Sequence, residues 1–374
     1  MNYLDYTVGK SFTDGTFGED DLKFLNLSGR KSFYSQGYYG QDIIVAVVDT
    51  GVSPHEELED RLISPGINTN QSYTYNFRNS KEGSYDDRGH GTHVACSIAG
   101  KNVGIAPKCK ILSVKVLDGS GGCNNTMDIV NGIRKAIQWR GTNGEKVNII
   151  SMSLSGTMQT LGANAVENLH SAIKSAVDNN ILVVCSSGNT GVEETERYPA
   201  CFDEVVTVGA VDVDKQLAMF STKGNQVDVC QVGVNVLSAN YKGGYVAMSG
   251  TSMSTPLTSG IACLIACRHK QQFGEHITER KLYEALKMNT KDLGIKGVDK
   301  LFGAGFCSLQ PLNVRLELKV GENTAILNGE KIKLESDTFV FSNNRNYMSI
   351  RRLGDLLGLS VKWTQETQTA ILES

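Results

Sequence analysis

The chain has 374 residues, 40% of them hydrophobic, which exceeds one average domain and suffices to bury a large core. With 37 Lys and Arg against 40 Asp and Glu the formal charge is −3, too even for nucleic-acid binding by bulk electrostatics. Charged residues at 21%, 6 Pro and 39 Gly without a period of three exclude disordered and collagenous classes, and the longest apolar stretches, at 43–48 and 181–185, are strand-sized rather than membrane-spanning.

Residues 1–20 are acidic and Gly-containing, with no periodic face, and read as an extension lying on the main domain. They lack the basic-then-apolar pattern of a secretory signal. The nine cysteines are an odd number for a disulfide framework, and Cys185, Cys263 and Cys267 stand in apolar surroundings like ordinary core residues. That leans toward a reducing, cytoplasmic compartment; a secreted chain whose signal has been removed is the other reading. From 41 to 312, β-branched runs at 43–48, 111–116, 147–152, 181–185 and 205–208 alternate with amphipathic segments at 127–139, 163–179 and 252–272. This is the pattern of an α/β domain whose mainly parallel sheet lies between helices on both faces. After Pro311 the texture changes to short alternating strands at 314–320, 325–327, 331–334 and 338–341, a turn at Asn328-Gly329, a helix near 350–357 and a strand pair at 359–363 and 369–372. The expected organisation is an extension at 1–20, an α/β domain at 21–312 and a small α+β domain at 313–374.

Three segments place a reactive residue type at the end of an apolar run. In Val45-Ala46-Val47-Val48-Asp49-Thr50-Gly51 a carboxylate ends a buried strand, at the sheet edge where open α/β folds build their sites. Asp87-Arg88-Gly89-His90-Gly91-Thr92-His93 leads into a small-residue helix with one imidazole at its start and the other packing behind. In Ser249-Gly250-Thr251-Ser252-Met253-Ser254-Thr255-Pro256 a Gly turn delivers Ser252 to a helix start, where a backbone N–H and the helix dipole favour a developing oxyanion. A serine hydroxyl needs a base to become a nucleophile, and an imidazole needs a carboxylate to fix its tautomer; Asp49, His90 and Ser252 supply that set. Singly, each segment is more often a cap, a turn or a satisfied side chain.

In their order, 48–52, 90–95 and 250–253 resemble the three signatures of the subtilisin-like serine proteases, over roughly 22–312. The resemblance implies a three-layer subtilisin-like fold and an endopeptidase in which Asp49, His90 and Ser252 are catalytic. It also implies an oxyanion hole formed by the Asn189 side chain and the Ser252 N–H, whose loss costs about two to three powers of ten in rate, the range measured on subtilisin itself. An extended polypeptide substrate would pair between Ser120-Gly121-Gly122 and Ser153-Leu154-Ser155. Its primary pocket would be bounded by Ser153, Leu154, Ser155, Ser186, Ser187, Gly188 and the stretch before Tyr198-Pro199. Many relatives have Gly where this chain has Arg197. Directed into the pocket, Arg197 would favour an acidic residue before the scissile bond; paired with Glu193, Glu194 or Glu196 and turned to solvent, it would not.

Family members often carry a calcium loop in the helix after the catalytic His, but here 95–104 runs straight into Ile105-Ala106-Pro107. No cofactor is expected to be required and no metal ligands are assigned. Weak structural calcium is compatible with Glu57, which stands near the family's carboxylate ligand. Cys123, in the 119–125 loop beside the groove, is expected to be exposed. The stretch before Asp49 is similar in length to that of intracellular subtilisins, whose short extension blocks the site, so the resemblance raises the prospect of an inhibitory or processed Met1–Asp20. The tail is similar to the stalk-type domain of copper amine oxidases in 347–354 and 359–363, implying protein contact, spacing or oligomerisation, without copper. A non-proteolytic peptide-binding or assembly scaffold is the alternative function. An α/β-hydrolase esterase is disfavoured by the triad order and the lack of a G-x-S-x-G elbow.

Overall fold

The computed structural model describes residues 3–13, 17–72, 82–194 and 196–309, and in the tail 315–319, 324–327, 330–333, 360–364, 366 and 369–373. The chain divides into two compact units, Met1–Leu309 and Gln310–Ser374.

The first unit opens with β1 (Thr7–Phe12), followed by two short helices, Lys23–Leu27 and Arg30–Tyr34. The strands of its main sheet are β2 (Ile44–Asp49), β3 (Leu62–Asn68), β4 (Lys110–Lys115), β5 (Ile149–Met152), β6 (Leu182–Ser186), β7 (Val206–Val211) and β8 (Val229–Val232). Two further strands, β9 (Val236–Ala239) and β10 (Tyr245–Ser249), pair outside that sheet, and β11 (Thr290–Lys291) and β12 (Phe306–Cys307) complete its edge. The nine-stranded order is β11-β12-β8-β7-β6-β5-β2-β4-β3, parallel throughout except for β11. Strands β2, β5, β6, β7 and β8 are buried at every residue, which is why they are continuous apolar runs rather than alternating ones. From β2 the chain passes to the edge strand β3, returns as β4 between them, and later adds β5 on the other side, so the sheet has a topological switch at β2, whose carboxyl end carries Asp49.

Each face carries its own core. Helix Thr251–Phe273 and helix His90–Ala99 cover one face; the former is buried on all sides from Thr251 to Cys267, as a central helix must be. Helices Met127–Gln138 and Ala163–Asp178 cover the other, presenting Ile129, Val130, Ile133 and Ile137, and Val166, Leu169, Ile173 and Ala176, at helical spacing. This is the three-layer α/β arrangement that the sequence pattern implied.

A second sheet has the order β1-β10-β9, antiparallel. Periodicity did not announce β1 because it lies on the surface with Thr7 to Ser11 all exposed, so neither face needs to be apolar. In the second unit, β13 (Arg315–Lys319), β14 (Thr324–Leu327), β15 (Glu330–Lys333), β16 (Ser360–Thr364) and β17 (Thr369–Glu373) form an antiparallel sheet of order β15-β14-β13-β17-β16. The strand expected at 338–341, the turn at Asn328-Gly329 and the helix near 350–357 lie outside the described residues.

Candidate active site

Asp49, the last residue of β2, faces His90, the first residue of its helix: His90 Nδ1 lies 2.8 Å from Asp49 Oδ1 and 2.9 Å from Oδ2, with both side chains fully buried. That contact requires the helix start to press against the turn after β2. A Cβ on Gly91 would collide with the Gly51 carbonyl, so only glycine permits it. Gly91 N–H in turn donates to Thr50 Oγ1 at 3.0 Å.

Behind the pair stands Asp86, which sequence reasoning missed. Its buried carboxylate accepts from the N–H groups of Arg88, Gly89 and Thr92 and from the hydroxyls of Thr50 and Thr92, at 2.8–2.9 Å. It caps the His90 helix from outside, satisfying N–H groups that the helix cannot. An Asp four residues before the His within a Gly-containing turn was the available signal. His93 is buried behind the site; its Nε2 lies 3.0 and 3.1 Å from the Val236 and Val246 carbonyls, and burial, with His90 nearby, pushes its pKa down to about 3. It is neutral and packs as expected.

Ser252 is the second residue of helix Thr251–Phe273, and Pro256 explains the local geometry. Lacking an N–H, Pro256 leaves the Ser252 carbonyl without its helical donor, and Ser153 Oγ fills the vacancy at 2.9 Å. Ser252 Oγ donates back to the Ser153 carbonyl at 3.1 Å, while His90 Nε2 is buried with no hydrogen-bond partner among the described residues. The structure therefore brings Asp49 and His90 together and turns the Ser252 hydroxyl onto β5's end instead of onto the imidazole.

Asn189 follows β6. Its Oδ1 accepts from Thr251 N at 2.8 Å and Thr251 Oγ1 at 2.9 Å, which fixes the amide so that Nδ2 points away from them. What Nδ2 meets is the chain's own backbone: it donates to the Asp5 carbonyl. Tyr3 N donates to the Gly121 carbonyl at 2.9 Å and the Tyr3 carbonyl accepts from Ser155 N at 3.3 Å, so the extension runs between the two edges expected for substrate. The Tyr6 ring centroid lies 4.8 Å from that of His90, and Arg88 Cζ stands over the Tyr6 ring at 5.5 Å from its centroid. None of Tyr3, Asp5 or Tyr6 carried a motif that marked it.

Residues 40–305 match the subtilase family. The chain belongs to that family. As a subtilisin-like serine endopeptidase it is 36% identical over 319 residues to the major intracellular serine protease of Bacillus subtilis (strain 168), spanning 83% of this chain and 93% of that one. The intracellular serine protease of Paenibacillus polymyxa is 37% identical over 265 residues, 68% of this chain and 76% of its own. The minor extracellular protease Epr of Bacillus subtilis is 34% identical over 308 residues, 80% of this chain and 43% of its own. Residues 309–372 match the copper amine oxidase N-terminal domain. Among the described residues no helix is long and apolar enough to cross a membrane.

In this subtilase the residues expected to bound the primary pocket, Ser153, Leu154, Ser155, Ser186, Ser187 and Gly188, are all buried at the ends of β5 and β6. Gly188 has φ +104° and a Cβ there would strike Arg197, whose Nε donates to Ser155 Oγ at 3.0 Å and whose Nη1 lies 3.3 Å from Glu194 Oε2. Arg197 thus packs against Gly188 and Ser155 and pairs with Glu194, and with its side chain 16% exposed it is not turned to solvent. Ser120 flanks the groove within the Asp118-capped turn, exposed, and Gly122 is buried beside it. Cys123 corrects an expectation: it is buried, because Tyr3 packs in the same apolar cluster above it, and burial raises its thiol to about 11.

Glu57 was the residue left open for calcium, and its surroundings do not fit a cation. Its carboxylate accepts from Asn102 N and Asn102 Nδ2 at 2.8 Å each, from Val103 N at 3.4 Å and from the Tyr245 hydroxyl at 2.8 Å. Both oxygens face donors, which a metal ion would have to displace.

Proposed function

We propose that this subtilase cleaves peptide bonds with His90, oriented by Asp49, as base and Ser252 as nucleophile. His90 Nε2 takes the Ser252 hydroxyl proton as Oγ attacks the carbonyl carbon; Asn189 Nδ2 and the Ser252 N–H hold the oxyanion. His90 then gives its proton to the leaving amine, and water, deprotonated by His90, releases the acyl group. The observation that carries the reading is the Asn189 donor directed at a backbone carbonyl beside a buried Asp49–His90 pair. Arg197, packed against Gly188 and bonded to Ser155 Oγ, supports a preference for an acidic residue before the scissile bond; Asp5, the chain's own residue at that place, is exposed and forms no ion pair with it.

In this reading residues 1–20 are an inhibitory extension. Tyr3 fills the substrate edges, Asp5 occupies the oxyanion donor and Tyr6 covers His90, so the base and nucleophile are separated until the extension leaves. No calcium is required, because Glu57 is satisfied by the protein. The nine thiols, all unpaired with one another, suit a reducing compartment. The alternative, a peptide-binding scaffold without catalysis, draws on the Ser252 hydroxyl resting on the Ser153 carbonyl.

Peptides bearing Glu, Phe or Lys before a fluorogenic bond separate these readings. Cleavage by the wild type, absent in Ser252→Ala and fastest for Glu, is expected. Equal rates for the three would remove the acidic pocket, and no cleavage of any would favour the scaffold.

A further inference from the structure

The extension does not end at the catalytic residues. With the Asp5 carbonyl at Asn189, Tyr6 is the first residue beyond the bond that would be cut, and the chain continues as β1 along β10. Thr7 pairs with Ser249, Val8 with Met248, Ser11 with Val246 and Phe12 with Tyr245, with one bulge at Gly9-Lys10. The other edge of β10 is taken by β9, so departure of β1 exposes a complete row of backbone donors and acceptors. β1 itself has little other reason to stay, since Thr7 to Ser11 are exposed and Val8 is 61% accessible.

A cleft of about 470 Å³ opens where this strand runs, lined by Lys10 and Phe12 of the extension and, on the body, by Leu237 and the charged Asp21, Lys23 and Asp212, two acids against one base. Counting from Tyr6, Lys10 is the fifth residue beyond the bond and Phe12 the seventh.

We propose that β10 is a substrate-docking edge: a polypeptide extended beyond the scissile bond adds to Tyr245–Ser249 as an antiparallel strand, favouring a cationic fifth and an aromatic seventh residue. The proposal rests on the endopeptidase reading. Backbone pairing supplies affinity, and the cleft beside Asp212 and Leu237 supplies the modest side-chain selection. Unfolded or loosely folded segments are the substrates this edge can take, and the extension inhibits by occupying the same edge.

The test uses the full-length chain carrying Ser252→Ala to stop turnover and Tyr3→Gly with Leu4→Gly to loosen the extension. Fluorescence anisotropy compares peptides sharing one half before the bond and carrying two or eight residues after it. The long peptide, with Lys fifth and Phe seventh, is expected to bind at least about tenfold tighter, the gain of one or two net backbone hydrogen bonds. N-methylation of its second to seventh amides beyond the bond is expected to abolish the gain, and Glu in place of Lys to reduce it. Equal affinity of short and long peptides, or indifference to N-methylation, overturns the proposal. A second arm needs no loosened anchor: Val8→Pro in an otherwise wild-type chain should raise cleavage of a short peptide several-fold, and unchanged cleavage counts against the docking edge. Because binding is read without chemistry, a chain that binds by length but cleaves nothing would refute the endopeptidase reading alone.

Discussion

Asp86 holds the start of the His90 helix through three N–H groups and two hydroxyls, none of which has another acceptor as near. Asp86→Ala should therefore cost about 3 kcal/mol or more, since it leaves several buried donors unsatisfied. Urea midpoints would show it, with kcat/KM falling alongside as His90 loosens; a change under about 0.5 kcal/mol would contradict this account. His93 gives a pH signature. Its folded pKa, about 3, lies below the ordinary 6.5, so between these values the unfolded chain binds more protons. Stability from this group is complete above pH 6.5 and is lost as pH falls toward 3, at up to about 1.4 kcal/mol per pH unit. His93→Gln should flatten that part of the urea-midpoint profile, and an unchanged slope would mean that His93 titrates normally. At this scale Asp49, His90 and Ser252 stood out in the sequence because each ends a run or opens a helix, and Asn189 only through the family resemblance. The sequence hid Asp86, whose role depends on five donors brought from two separate segments.

The extension is the element whose structure was least legible. A surface strand without an apolar face has no period to detect, and its partner β10 is more than 200 residues away, so only the fold could bring them together. The buried state of Cys123 follows from the same contact, since Tyr3 comes from outside the 119–125 loop. Cys123 should resist alkylation at pH 8 in the intact chain, both by burial and because its thiol is held near 11. Tyr3→Gly with Leu4→Gly should increase its labelling at least about tenfold by peptide mass spectrometry. Rapid labelling of the intact chain would place the extension elsewhere in solution.

For the whole first unit the parallel sheet was readable, because strands buried on both faces must be apolar throughout and the helices between them must be amphipathic. Short or exposed strands were not: β3 carries Ser64-Pro65-Gly66 on the edge, and β8 and β9 are four residues each. Whether calcium is needed is a matter for measurement; Glu57, the carboxylate that the sequence left open for it, bonds Asn102, Val103 and Tyr245. Chelation should shift Tm by less than about 2 °C, whereas a large loss would reveal a structural cation bound elsewhere. The central claim joins an activatable Ser252 to an extension whose Tyr6 lies against His90 and whose Asp5 carbonyl takes the Asn189 donor. Intact-mass spectrometry after a serine-directed phosphonofluoridate tests both together, on the full-length chain, on Ser252→Ala and on the chain loosened by Tyr3→Gly, Leu4→Gly and Val8→Pro. The account predicts slow modification of the first, none of the second and rapid addition of one adduct to the third; a folded, loosened chain that acquires no adduct would contradict it.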